Sequence, residues 1–187
     1  MEITWEKLHD AVRECRRCPL AQGRLNAVPG EGNRSAALMF IGEGPGAQED
    51  EQGRPFVGAA GQLLDKMIGA IGLSREQVYI ANAVKCRPPG NRTPLPEEVQ
   101  SCLPYLRAQV KLIQPKIIVC LGATAARAVI APDVRITRAR GVWIERKGYW
   151  LMPTYHPAAL LRDVSKKKEA WLDFQAIRDK LKEVGGE

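Results

Sequence analysis

Ala37-Leu38-Met39-Phe40-Ile41-Gly42-Glu43-Gly44-Pro45-Gly46-Ala47 is the stretch that decides the fold. An apolar run without polar alternation reads as a strand buried on both faces, and the glycines that follow close it with a loop. The pattern recurs along the chain. Val78–Ala83 and Lys116–Leu121 are two further buried strands, the latter stopping at Gly122. Val142–Lys147 and Tyr149–Thr154 form a hairpin pivoting on Gly148, and its second arm is the last core strand. Helical spacing intervenes. Residues 4–14 set Trp5, Leu8 and Val12 on one face, and residues 60–71 carry Leu63, Leu64, Met67, Ile68 and Ile71. Pro96-Glu97-Glu98 opens a helix with proline and acids in its first turn, running to about Ile113. Ala123–Ile130 and residues 166–183 are the remaining helices. Strands alternating with helices predict an α/β domain whose parallel sheet is covered on both faces. Sites in such sheets form where loops leave the carboxyl ends of the strands. Those exits are Gly42–Phe56, Asn82–Pro96, Gly122–Thr124 and Tyr155–Leu161.

The 187 residues fit one domain, and 45% apolar content is enough for a full core. No apolar run approaches the length of a membrane span, and the first residues lack the basic and apolar regions of a secretory signal. The expected location is therefore the cytoplasm. The net charge of +7 is unevenly placed. Residues 1–98 hold 12 basic and 13 acidic side chains, residues 99–168 hold 13 and 3, and residues 169–187 hold 3 and 5. An excess gathered in one stretch points to a surface facing a polyanion, with a solvated face as the bland alternative.

Five cysteines, an odd number, in a chain without an export signal argue against a disulfide framework. Cys15 and Cys18 form a C-x-x-C after the first helix. Cys86 follows the second strand, and Cys102 lies in the first turns of the next helix. Four thiolates so placed can converge on Zn²⁺ or an iron–sulfur cluster, and spacing does not choose between them. A thioredoxin-like pair fits less well, because that motif follows a strand. Cys120, inside Ile117–Leu121, reads as a core side chain.

Gly42-Glu43-Gly44-Pro45-Gly46-Ala47 formally matches a dinucleotide fingerprint, but that fingerprint needs a helix to begin at once. Here the chain continues through Gln48 to the acids Glu49, Asp50 and Glu51, which would repel a pyrophosphate. Free backbone N–H groups with one carboxylate, Glu43, suit a small polar group instead. Of the two histidines, His9 reads as a surface residue. His156 follows the last core strand, held extended by Pro157.

Taken in order, these segments resemble the family 4, iron–sulfur uracil-DNA glycosylases. The matching pieces are Cys15-x-x-Cys18, Gly42–Gly46, Glu49-Asp50, Gly53–Gly58 with Ala60–Leu64, Asn82–Pro89, Cys102, Leu121-Gly122 and His156-Pro157. The resemblance implies a three-layer α/β/α sandwich around a short, mainly parallel four-stranded sheet. It implies a [4Fe-4S] cluster on Cys15, Cys18, Cys86 and Cys102. It implies a DNA-repair hydrolase that flips and excises uracil from DNA, leaving an abasic site. The partner is then uracil-containing DNA, single- or double-stranded, with a sliding clamp or other repair proteins as further candidates and a monomeric chain. The family's uracil pocket maps to Gly42, Glu43, Gly44, Phe56, Asn82 and His156, and catalytic roles map to Glu43, His156, Glu49 and Asn91. Ala158 stands where the family often has serine. A covalent DNA-binding cousin carries a histidine in the loop after the second strand. Here that loop, Arg87–Leu95, has none, so suicide cross-linking is not expected.

The implied chemistry suits these residue types. Phe56 can stack on a flipped base. The Asn82 amide can donate to uracil O4 and accept from N3–H, a pattern cytosine cannot satisfy. His156 can donate to O2, and loop N–H groups can add to that stabilisation. Glu43 is placed to orient or deprotonate water. Glu49 either takes that part or braces the loop, and Asn91 can position water or a phosphate. Three other readings remain at this point: a metal-stapled DNA-binding module without catalysis, a glycosylase for another damaged base, and a nucleotide-dependent oxidoreductase.

Overall fold

A computed structural model describes residues 2–185. Helix α1 (Trp5–Arg13) starts where the Thr4 hydroxyl accepts from the Lys7 N–H, and it buries Leu8 and Val12. A single turn, α2 (Leu20–Gly23), leads to a two-residue strand β1 (Glu31–Gly32). Then come β2 (Leu38–Gly42), α3 (Ala47–Gln52), α4 (Ala59–Ala70), β3 (Tyr79–Asn82) and α5 (Pro96–Ile113). The second half holds β4 (Ile117–Leu121), α6 (Ala123–Val129), α7 (Ile136–Ala139), β5 (Ile144–Arg146) and β6 (Tyr149–Thr154). It closes with α8 (Pro157–Arg162) and α9 (Lys167–Gly185).

The sheet has six strands in the order β1-β3-β2-β4-β6-β5. The expected four parallel strands form its centre. The sheet is larger than expected because an antiparallel strand is added at each edge, β1 on β3 and β5 on β6. The hairpin arm β5 was foreseen as a partner of β6. The edge strand β1 was not, since Glu31-Gly32 has no apolar run to mark it.

Side-chain alternation builds the two cores. Leu38 and Phe40 of β2 face one layer with Leu64, Ile68, Phe174 and Ile177 of α4 and α9. Met39 and Ile41 face the other with Leu103, Leu106, Ala125 and Ala126 of α5 and α6. Cys120 is fully buried in this second core, and burial pushes its thiol up to about 12. Both layers being apolar, every strand-end loop is forced outward. The exits of β2, β3, β4 and β6 therefore open at the same edge of the sheet, because these strands run parallel. No helix among the described residues is long and apolar enough to cross a membrane.

Candidate active site

One pocket lies at that edge, lined by the loop after β2, by Phe56, Asn82 and His156, and by Asn91 and Arg92 from the loop after β3. All of the uracil-pocket residues expected from sequence except Gly42 line it, and Gly42 lies directly behind. A Cβ on Gly42 would sit 2.5 Å from Asn82 Oδ1 and 2.5 Å from Phe56 Cζ, so only glycine permits this packing.

Phe56 takes a left-handed backbone conformation, φ 52°, which costs a non-glycine residue about 1–3 kcal/mol. The surroundings over-determine it. Arg75 donates to the carbonyl oxygens of Pro55 and Phe56, and is itself held by Glu31 and Asp65. Burial works against ionisation of Glu31, but hydrogen bonds from Arg54 and Arg75 outweigh it and hold the carboxyl below its ordinary range. Gly61 packs so tightly beneath that a Cβ would overlap the Phe56 carbonyl. Nothing in the sequence singled out Arg75, whose partners are distant along the chain.

Glu49 completes the clamp. Its Oε1 accepts from Gly46 N at 3.0 Å, and its Oε2 accepts from Val57 N at 3.0 Å and Gly58 N at 2.7 Å. Three backbone donors thus converge on one carboxylate. This geometry also corrects an expectation. A helix does open at once after the glycine loop, since α3 begins at Ala47. The N–H group of Gly46 that a pyrophosphate would seek is bonded to Glu49, and Asp50 is buried in the same turn. The dinucleotide reading fails for that reason rather than for want of a helix.

His156 lies against Phe56, ring centroids 5.4 Å apart at 28°. Its Nδ1 accepts from the backbone N–H of Ala158 at 3.0 Å. The neutral ring's proton is therefore on Nε2. Burial, with a smaller contribution from Arg162, pulls its pKa down to about 4, so the ring is neutral at physiological pH. The bond uses the main chain of residue 158, so alanine in place of serine leaves it intact.

Asn82 is buried, and its Oδ1 is enclosed without a hydrogen-bond partner. Such an orphan costs about 1–3 kcal/mol. Its main-chain oxygen accepts from the buried Nζ of Lys85 at 2.9 Å, and that Nζ also donates to Gln109 Oε1 at 2.7 Å. Glu43 accepts at Oε2 from the Thr124 hydroxyl at 2.5 Å, and Val84 N donates to its main-chain oxygen. Asn91 is exposed, with its Oδ1 accepting from Arg87 Nε at 2.7 Å, and Arg92 pairs with Glu98 at 2.7 Å.

The four expected cysteine ligands line a second, apolar cavity. Cys86 Sγ accepts from Arg24 Nη1 at 3.2 Å, and Cys102 Sγ accepts from Lys85 N at 3.3 Å. Burial raises both thiols, Cys102 to about 11. No three His, Cys, Asp or Glu side chains among the described residues are spaced to hold a single ion. Cys15, Cys18, Cys86 and Cys102 thus line one cavity, and thiolates are ligands for either Zn²⁺ or an iron–sulfur cluster.

Ten of the thirteen basic side chains of residues 99–168 are exposed, and Arg140, Arg146 and Lys166 are half-buried; a few of them are also engaged within the chain. Arg140 pairs with buried Asp173, Arg146 donates to the carbonyls of Val129 and Ile130, and Arg127 donates to Val134 O. Arg127 and Arg146 thus close the end of α6 and the turn after it, and Arg140 ties the end of α7 to α9.

Comparison with known proteins places the chain among relatives. The family described as the uracil DNA glycosylase superfamily matches residues 29–177. The type-4 uracil-DNA glycosylase of Sulfurisphaera tokodaii is 48% identical over 183 residues, 93% of this chain and 83% of that one. That of Archaeoglobus fulgidus is 46% identical over 183 residues, 92% of each chain. The type-5 enzyme of Pyrobaculum aerophilum is 35% identical over 150 residues, 71% of this chain and 66% of that one.

Proposed function

The chain belongs to the uracil DNA glycosylase superfamily, and from that membership we propose that it excises uracil from DNA by hydrolysing the N-glycosidic bond. The observation that carries this reading is Asn82, which lines a pocket walled by Phe56 and His156 and whose enclosed Oδ1 has no hydrogen-bond partner in the fold. An enclosed amide oxygen awaits a donor, and uracil N3–H is one. The amide NH₂ then meets uracil O4. Cytosine has no N3–H and presents an amino group instead of O4, so its insertion leaves both polar ends of the amide opposed.

Uracil reaches the pocket by flipping out of the stack, which costs a few kcal/mol. Phe56 offsets part of that cost by stacking. As the C1′–N1 bond breaks, negative charge gathers on the base. His156, neutral with its proton on Nε2, donates to O2 and stabilises the departing anion without needing acid pH. Glu43 orients the water that attacks C1′ and favours the positive charge developing on the sugar. Glu49 is assigned the bracing role: its carboxylate is taken up by three main-chain donors. With its oxygen held by Arg87, Asn91 offers its NH₂ to a phosphate or water at the pocket rim.

Cys15, Cys18, Cys86 and Cys102 are the residues that would hold a [4Fe-4S] cluster. When bound, the cluster cross-links the end of α1, the loop after β3 and the start of α5. The residues that face DNA from that loop, Arg87, Asn91 and Arg92, are thereby held in place. DNA containing uracil is the partner, in single or double strands, bound by a single copy of the chain. Clamp proteins or other repair proteins are candidates for further contacts.

Matched oligonucleotides bearing uracil, cytosine, hypoxanthine or xanthine at one position test the assignment. Alkali-labile sites at uracil alone are expected. Equal cleavage at hypoxanthine would transfer the assignment to another base.

A further inference from the structure

We infer that Thr124 is the positioning residue of Glu43, fixing which carboxylate oxygen faces the reacting centre; this rests on the proposed role of Glu43. Glu43 stands at the end of β2, where its main-chain oxygen is tied to Val84 N at 3.1 Å. Its side chain nevertheless has three free torsions. The Thr124 hydroxyl donates to Oε2 at 2.5 Å, and no other hydrogen bond reaches this carboxylate among the described residues. Oε1 is thus left for water, and its direction is set by a bond made on the far side of the group.

The element that carries Thr124 is rigid. Thr124 lies in the first turn of α6, whose Ala125 and Ala126 are fully buried. Gly122 precedes it with φ 92°, its N–H bonded to Thr154 O at 2.9 Å. A Cβ there would come within 3.1 Å of His156 Cβ. One short loop after β4 therefore sets the Glu43 carboxylate and abuts His156 itself. It brings the water-directing group and the leaving-group donor into a common frame. Holding a carboxylate within a few tenths of an ångström of its working position matters, since a misplacement of about 1 Å can cost about 100-fold in rate.

The test is single-turnover excision by the holoprotein over a range of DNA concentrations. T124V removes the hydroxyl and keeps the shape; T124A takes its place if that variant does not fold. The maximal rate is expected to fall about 10- to 100-fold with half-saturating DNA unchanged, and T124S to recover most of the loss. In E43Q the rate falls further, and T124V added to E43Q costs nothing more, because the two residues act as a unit. A T124V and T124A rate equal to wild type, a T124S as slow as T124V, or additive losses in the double variant would overturn the inference. Wild-type activity in E43Q would instead defeat the role of Glu43 itself.

Discussion

The backbone N–H of Ala158 points at Nδ1 of His156, 3.0 Å away, and so decides that the imidazole is a donor through Nε2. The two residues lie on the first turn of α8 and its cap, so the tautomer is set by local geometry. Protonation of Nδ1 would break this bond.

Acid stability follows with a definite sign. Burial lowers the His156 pKa from its ordinary 6.5 to about 4. Between those values the unfolded chain binds the proton and the folded chain does not. Stability from this group is full above pH 6.5 and is lost as pH falls toward 4, by up to about 3 kcal/mol. Thermal melts of wild type and His156→Asn from pH 7 to 4 check it. The wild type is expected to lose more on acidification; parallel curves would contradict a buried neutral ring.

Asn82→Ala separates function from structure. The change removes an acceptor that the fold leaves unpaired, so the melting temperature should be unchanged or higher. Excision is expected to fall about 100- to 10,000-fold. A destabilised but active variant would mark Asn82 as a structural turn residue.

Glu49→Ala should act in the opposite way. Three backbone N–H groups lose their acceptor and Phe56 loses part of its support, so a destabilisation of about 2–4 kcal/mol is expected in chemical denaturation. Unchanged stability with abolished catalysis would give Glu49 a direct part in the reaction.

The cysteine site is checked by composition as well as by fold. Natively purified protein is expected to be brown and to contain iron and sulfide in equal amounts. Cys86→Ala or Cys102→Ala should lose the colour, melt lower and bind DNA more weakly. Colourless, zinc-loaded protein, or unaltered DNA affinity after the cluster is lost, would refute the cross-linking role.

Much of this was legible in the sequence because short-range signals carried it. Buried strands announce themselves as apolar runs, and Pro96 with Glu97 and Glu98 placed α5 from its first residue to Ile113. Glycine exits placed the pocket at one edge. What escaped were relationships across the chain. Strand β1 has two residues and no hydrophobic pattern, only a ladder with Ile80 and Tyr79. Arg75 reaches the Phe56 carbonyl 19 positions away, and Thr124 reaches Glu43 81 positions away. Charge counting leaves pairing out in the same way: Arg140 reads as a surface cation until Asp173 is found beside it. Local spacing carries information about elements, while clamps and ion pairs depend on how those elements pack.

The central claim is tested most directly by incubating the purified holoprotein with an oligonucleotide carrying one uracil, as single and as double strand, then treating with alkali and assaying free base. Scission at the uracil position, with uracil released and the matched cytosine strand intact, is the expected result. Intact DNA in both forms, despite measurable binding, would contradict it and leave a DNA-binding module without catalysis.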